Sequence, residues 1–375
     1  MFPRPSGRLT AVDDQGRDVV DGGATMRDVA RIAGVSVSTV SHVVNSTRLV
    51  SPVRRRRVLE AIAAIGYTQH AGARALRRSR SDTVGLVVSN TGHPVFAEMV
   101  RGVEDEARVA GKTLLLANSS EEVDREANSV RALREHRVDG LLLAPVSSSP
   151  DTLVEQLRTQ GFPVVLLDRL TNPGTDQVGV ATIGPMRDLV AHLVARGHRR
   201  IGLVVGDLAV PPLRERWQGY QDALTAEGIP HREELLHTSH HVTTREEAAS
   251  AVGTMLDGPE PPTAIANGND FTAMAGILDA ARARGMRVPD DLAVVSFDAF
   301  PHAELFEPAL TSYAQPAYMI GREAMRLLLR RLKKPTVAPK TIRLEPVLAH
   351  RTSCGCAPGA EFVLPTPARR GRKTR

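Results

Sequence analysis

The sequence is poor in sulfur and in aromatic rings. It has two cysteines in 375 residues, Cys354 and Cys356, and one tryptophan, and Phe, Trp and Tyr together supply only 3%. Cysteines this close in sequence cannot form an ordinary structural disulfide, so nothing indicates an oxidising compartment. No apolar run is long enough to span a bilayer, and the opening MFPRPSGRLTAVDDQGRDVV lacks the apolar core of a secretory signal. These absences set the expectation of a cytoplasmic protein with no membrane partner. Catalytic signatures are missing as well: there is no G-x-G-x-x-G, no phosphate-loop Gly-Lys-Ser/Thr, no G-x-S-x-G and no H-E-x-x-H. No enzyme is expected, and no catalytic residue or cofactor is assigned.

What is present is unevenly charged. The chain carries a net charge of +6, yet residues 25–80 alone hold eleven Arg, no Lys and two acids, a net +9. The long stretch 81–356 is correspondingly acidic, at −6. A basic head on an acidic body points to a polyanion bound at one end, with strongly salt-dependent affinity.

Residues 1–24 are Gly-, Asp- and Arg-rich without periodicity and read as a disordered extension. Three helices are expected in 25–67. The third opens on Ser51-Pro52 as N-cap and first residue, with Val53, Val58, Leu59, Ile62 and Ile65 as its apolar stripe. From Thr83 onward, β-branched runs such as TVGLVVS, VDGLLLAP, FPVVLLD, IGLVVGD and LAVVSFD alternate with amphipathic stretches. Nearly all-apolar strands alternating with helices imply parallel sheets covered on both faces, and two such series imply two lobes with a cleft between them. A last helix, the strand TIRLEP and a basic tail, 354–375, close the chain.

The stretch TMRDVARIAGVSVSTVSHVVN, residues 25–45, holds two short helical patterns broken at Gly34. Glycine at the turn permits the positive φ that a helix-turn-helix needs. Val29, Ala30, Val35, Val40 and Val43 can form a small core, which leaves Val37, Ser38, Ser41 and His42 outward on the second helix. Side chains near the start of such a helix reach base edges in the major groove of duplex DNA.

Continued through Gly66-Tyr67, the segment 73–76, VDGLLL, RGHRRIGLV, ERWQGYQDAL, NDFTAMAGIL, RVPDDLAVVSFD and PALTSYAQP, the sequence resembles the LacI/GalR (lactose repressor/galactose repressor) family of bacterial transcription regulators. The resemblance covers about 25–353. It implies a small all-α helix-turn-helix head (25–67), a hinge helix and linker (68–80), and a two-lobed periplasmic-binding-protein-like α/β sensor (81–353). The lobes would be about 81–183 plus 311–345, and 184–310. Base contacts are implied for Val37, Ser38 and His42, and backbone contacts for Thr25, Arg27, Ser36, Thr39, Asn45 and Tyr67. In the hinge, Arg74 would enter the minor groove and Leu76 would wedge between central base pairs. Gln69 and His70 depart from the family's usual Pro and Asn, and Gly72 weakens the hinge helix by roughly 0.5–1 kcal/mol relative to Ala.

The resemblance further implies an effector site at Phe96, Arg216, Asn269 and Asp298. The chemistry is sensible in its own right: Asp298 follows an apolar strand, where α/β folds bind ligands, and a carboxylate can hold paired sugar hydroxyls. Val95, Val210 and Pro212 stand where purine-binding members have polar or aromatic contacts, so a sugar or related polyol is expected rather than a nucleobase. His240 and His241 fall near the cleft by analogy. The whole is expected to act as a homodimeric repressor on a pseudo-palindromic operator, with affinity set by the effector. A transport binding protein of the same fold would need export. His350, Cys354 and Cys356 offer three metal donors within seven residues, but zinc wants a fourth and the family's chains end here, so no metal is expected.

Overall fold

The computed structural model describes residues 24–45, 48–67, 81–146, 152–239, 243–299, 303–305 and 307–365. The chain divides into two compact units, Met1–Ser81 and Asp82–Arg375. The hinge positions Arg74 and Leu76, the loop residues His240 and His241, and most of the N-terminal extension lie outside the described residues.

Among the described residues the first unit has three helices, α1 (Met26–Ala33), α2 (Val37–Asn45) and α3 (Pro52–Ile65). A capping box starts α1: the Asp28 N–H donates to the Thr25 hydroxyl, and the Asp28 carboxylate accepts from the Thr25 N–H at 3.1 Å. Gly34 ends it at φ +62°, a left-handed backbone that favours glycine. Val29, Ala30, Ala33, Val40, Val43, Val58, Ala61 and Tyr67 form the core. One expectation fails here, and another holds in position but not in bonding: Ser51 is the N-cap and Pro52 the first residue of α3. Val53 and Leu59 are 60% and 49% exposed, because α3 turns only its Val58–Ala61 edge fully inward. Ser51 makes no side-chain cap bond, and the helix start rests on Pro52 with its fixed φ.

The second unit has two six-stranded sheets. In the first lobe β1 (Thr83–Val88), β2 (Thr113–Asn118), β3 (Leu141–Leu143), β4 (Val164–Leu167), β5 (Asp176–Val180) and β11 (Thr341–Leu344) order as β11-β5-β4-β3-β1-β2, all parallel. Helices α4 (Pro94–Val109) and α11 (Ala317–Lys333) cover one face; α5 (Val123–Glu135) and α6 (Thr152–Thr159) pack on the other. In the second lobe β6 (Ile201–Val204), β7 (Leu236–His237), β8 (Ala264–Asn267), β9 (Ala293–Phe297), β10 (Thr311–Ala314) and β12 (Val347–Ala349) order as β12-β10-β9-β8-β6-β7. Only β12 runs antiparallel to its neighbour. Helices α7 (Ile183–Ala195) and α8 (Pro211–Ala226) cover one face, α9 (Arg245–Asp257) and α10 (Phe271–Ala283) the other.

The lobe boundaries differ from expectation at one point. β10 pairs with β9, so the chain remains in the second lobe through Ala314 and returns to the first only with α11. Nor is the segment after 353 simply a solvated tail: Cys354 and Cys356 are buried in the second lobe's core with Phe362 packed against them.

Helix pairing in the first lobe depends on two glycines. A Cβ on Gly102 would sit 2.1 Å from the Tyr318 carbonyl oxygen, and one on Gly321 would sit 2.0 Å from that of Met99. The crossing of α4 and α11 is therefore backbone on backbone, closer than any side chain allows. Gly321→Ala is expected to lower sensor stability by roughly 1–3 kcal/mol through overpacking. Gly184→Ala, in α7 with open space around the new methyl, should be neutral or stabilising. Urea unfolding of the full chain checks both; equal effects would contradict this packing.

Candidate functional site

On α2, Val40 and Val43 are buried, Val37 and Ser38 are exposed, and His42 is half-buried one turn further on. Positions 37, 38 and 42 thus share one helix face. Arg27 is exposed at the start of α1, and Arg54, Arg55, Arg56 and Arg57 are exposed at the start of α3.

The other backbone-contact candidates are less free than the sequence implied. Ser36 accepts from the Thr39 N–H at 3.2 Å and shares hydrogen bonds with the Ser38 and Thr39 hydroxyls at 2.9 and 2.8 Å, so it caps α2. Asn45 donates its amide to the Ser41 carbonyl at 2.8 Å. Tyr67 is only 8% exposed and belongs to the head's core, so its ring packs rather than reaches outward. These residues set the geometry of the outward face.

In the sensor, a cavity of about 370 Å³ opens between the lobes, and Phe96, Arg216, Asn269 and Asp298 all line it. Asp298 follows β9 at φ +77°, a left-handed conformation that costs a non-glycine residue energy and that its surroundings must enforce. The enforcement is visible. Arg216 donates to the Asp298 carboxylate at 3.0 Å and to the Gly268 and Asn269 carbonyls at 3.1 and 3.3 Å, while its guanidinium lies 4.1 Å from the Phe297 ring centre. Gln315 donates to the second carboxylate oxygen at 2.6 Å. Asn269 donates to the Thr243 hydroxyl at 2.7 Å. The fold makes Arg216, Asn269 and Asp298 one bonded unit.

The first lobe contributes residues that the sequence reading passed over: Asn90, His93, Glu121, Asp168 and Arg169. A signal was available. VVLLD (164–168) and VVSFD (294–298) are parallel strand ends with the same outline, and Asp168 repeats the positive φ of Asp298, at +66°. Arg169 donates both terminal nitrogens to the Glu121 carboxylate, at 2.6 and 2.8 Å, and one also to the Pro145 carbonyl at 2.8 Å. Burial would raise the Glu121 carboxyl, but the Arg169 bonds outweigh it and hold it below the usual range. At Asp168 burial dominates and the carboxyl titrates above its ordinary value, despite Arg169 and Arg216 nearby.

Residues 25–69 match the family of bacterial regulatory proteins, lacI family, and residues 190–354 match the periplasmic binding protein-like domain. The HTH-type transcriptional repressor PurR of Yersinia pestis bv. Antiqua (strain Antiqua) is 35% identical over 342 residues, covering 90% of this chain and 99% of the relative. The chain belongs to the lacI family. Among solved structures, a complex of the transcriptional regulator CelR with cellobiose is similar at 32% identity, covering 88% of this chain and 99% of its own, with a TM-score of 0.65. The lac repressor dimer bound to operator and the anti-inducer ONPF is similar at 25% identity, covering 89% and 99%, with a TM-score of 0.78. As a lacI-family repressor the protein binds operator DNA and responds to a small molecule; it is not an enzyme. Among the described residues no helix is long and apolar enough to cross a membrane.

For this lacI-family sensor the Asp168 shift has a definite sign. A carboxyl whose folded pKa lies above its unfolded value lowers stability once the pH rises past the unfolded value, and the penalty is complete above the folded one. Asp168→Asn, a residue that tolerates positive φ, should therefore raise the melting temperature of the ligand-free protein at pH 8 and change it much less at pH 4. Thermal unfolding at both pH values checks this; an equal or inverted effect would contradict the assignment.

Proposed function

We propose that the protein is a homodimeric, cytoplasmic repressor whose heads read adjacent half-sites of a pseudo-palindromic operator, and that its effector is a sugar or related polyol. The observation that supports the effector class is the Asp298 carboxylate, fixed at both oxygens by Arg216 and Gln315 beside the apolar ring of Phe96. A carboxylate keeps lone pairs after accepting two bonds, so each oxygen can still take a hydroxyl. Asn269 and Gln315 line the same cavity, and their amides carry both donor and acceptor groups. Hydroxyls around a ring satisfy such a set in both directions. Val95, Val210 and Pro212 line the same cavity and offer an adenine or guanine edge no hydrogen bond from their side chains.

The coupling to DNA would run through the crossovers. The chain passes between the lobes at 181–182, 315–316 and 345–346. Gln315 lies in the second of these and bonds directly to Asp298. Arg343 of β11 donates to Glu215 of α8 at 2.7 and 2.9 Å, spanning the lobes beside the third. A polyol bridging Asp298 and first-lobe groups favours one lobe angle, and only such differential binding shifts affinity elsewhere, typically by about 1–3 kcal/mol. On the DNA side, Val37, Ser38 and His42 are the base-reading face, with Arg27 and the α3 arginines on phosphate. Thr39, also half-buried on α2, belongs with the phosphate contacts.

Two measurements test this reading. Calorimetry with pentoses, hexoses, disaccharides and purine bases should find a sugar that binds, with affinity reduced roughly 10–100-fold in Asp298→Asn and operator binding retained. Binding of a purine base in place of any sugar would overturn the effector class. Selection from random duplex DNA should return a pseudo-palindrome. His42→Ala should then relax discrimination at one position of each half-site, while Arg27→Ala should weaken all sequences alike. The reverse pattern would refute the docking.

A further inference from the structure

We propose that His192, His350, Cys354 and Cys356 form a tetrahedral zinc site that fastens the C-terminal segment to the second lobe. The sequence shows three of these donors within seven residues; the fold adds the fourth from the last turn of α7, more than 150 positions earlier. One ligand atom from each residue lies within 4.8 Å of all the others. The Cys354 sulfur is 3.5 Å from His350 Nε2, and the Cys356 sulfur is 3.5 Å from His192 Nε2. Zinc bonds of ~2.3 Å to sulfur and ~2.05 Å to nitrogen at a tetrahedral angle place S and N about 3.6 Å apart. Both S–N pairs already stand at that spacing.

The imidazoles are also turned the right way. His192 Nδ1 is 2.8 Å from the Val363 carbonyl oxygen and His350 Nδ1 is 2.9 Å from that of Ala360. A carbonyl can only accept, so each Nδ1 must be the protonated nitrogen. Each Nε2 then carries its lone pair toward the sulfurs. Orientation of a ligand histidine by a hydrogen bond from its other nitrogen is the usual outer support of a zinc site. Here the one segment 350–363 provides three ligands and both supporting carbonyls.

The surroundings favour a closed, structural metal. His192 and Cys354 are fully buried, and Cys356 nearly so. Phe362 stacks on His192 at 4.2 Å and meets His350 edge-on at 5.3 Å. Gly355, at φ +85°, makes the tight turn between the two cysteines. The Thr311 hydroxyl donates to the Cys354 sulfur at 3.3 Å, a bond that persists when the thiol gives up its proton. Two thiolates, two neutral imidazoles and one divalent zinc sum to zero charge, the one arrangement of ionised thiols that burial does not penalise heavily. With four protein donors there is no open position, so the metal holds structure rather than activating water. The match to the family's sensor domain ends at residue 354, leaving Cys356, Ala360, Phe362 and Val363 beyond it.

The test uses the full chain, reduced and freed of metal by chelation, titrated with Co²⁺ and then Zn²⁺. One Co²⁺ per chain should give the intense visible bands of tetrahedral cobalt and a thiolate-to-cobalt charge-transfer band, both erased by one equivalent of Zn²⁺. Cys356→Ser and Cys354→Ser should lose the charge-transfer intensity in steps while far-ultraviolet circular dichroism stays native. Zn²⁺ should raise the sensor's melting temperature in the native chain and not in the double variant. Should Cys354→Ser fail to fold, His350→Ala, at the partly exposed ligand, carries the same test, and its cobalt spectrum must change. Only weak octahedral cobalt bands in the folded, reduced chain would overturn the site. So would a tetrahedral spectrum unaltered by the cysteine and histidine substitutions.

Discussion

A guanidinium with 3% of its surface exposed has to keep its counter-charge, and the sensor is arranged around that demand. Arg216 reaches from α8 across the ends of β8 and β9 and is held by the Asp298 carboxylate, two carbonyls and the Phe297 ring. Removing either partner would leave a charge stranded in low dielectric, which costs far more than the pair itself contributes. The demand also explains why Asp298 tolerates its positive φ and why Gln315, at the second lobe's exit, has a fixed acceptor. The floor of the cleft, the strained strand end and the interlobe crossover are thus one electrostatic unit. Under the proposed function, a ligand that takes lone pairs from Asp298 would compete within that unit and act on the crossover through Gln315.

The first lobe solves the same problem with different wiring. Asp168 repeats the strand-end position and backbone of Asp298, yet its neighbouring arginine is committed elsewhere: Arg169 is clamped by Glu121 and the Pro145 carbonyl. One lobe therefore presents a carboxyl bonded directly to an arginine and the other a carboxyl whose burial raises its proton affinity. Two halves of similar outline face the cavity with unlike chemistry.

Much of this was legible in the sequence, and the exceptions share a cause. Strand and helix alternation survives because the central strands bury both their faces and each helix one, so period and burial agree. The sequence picked out Phe96, Arg216, Asn269 and Asp298, and the fold places all four on one cavity, because strand ends in parallel sheets converge on a cleft. Val53 and Leu59 misled because hydrophobic periodicity does not say how wide a small domain's interior is. The local bonds of Ser36 and the burial of Tyr67 were not legible, because a family position carries no record of which local contacts the side chain already makes. Membership of β10 in the second lobe is a matter of strand pairing, which no local pattern encodes. His192 was invisible for the same reason. An amphipathic helix with one histidine on its buried face looks ordinary until the chain end folds back onto it.

The order in which the sheets are completed has a consequence for synthesis. β11 and β12, the last strands made, are edge strands of different lobes, and α11, which fills the first lobe's core, precedes them only slightly. Neither sheet is complete until Thr341–Ala349 have been made, whereas the three described helices of the head are complete by Ile65. During translation the head's chain is therefore available to fold before either sensor sheet can close its last edge.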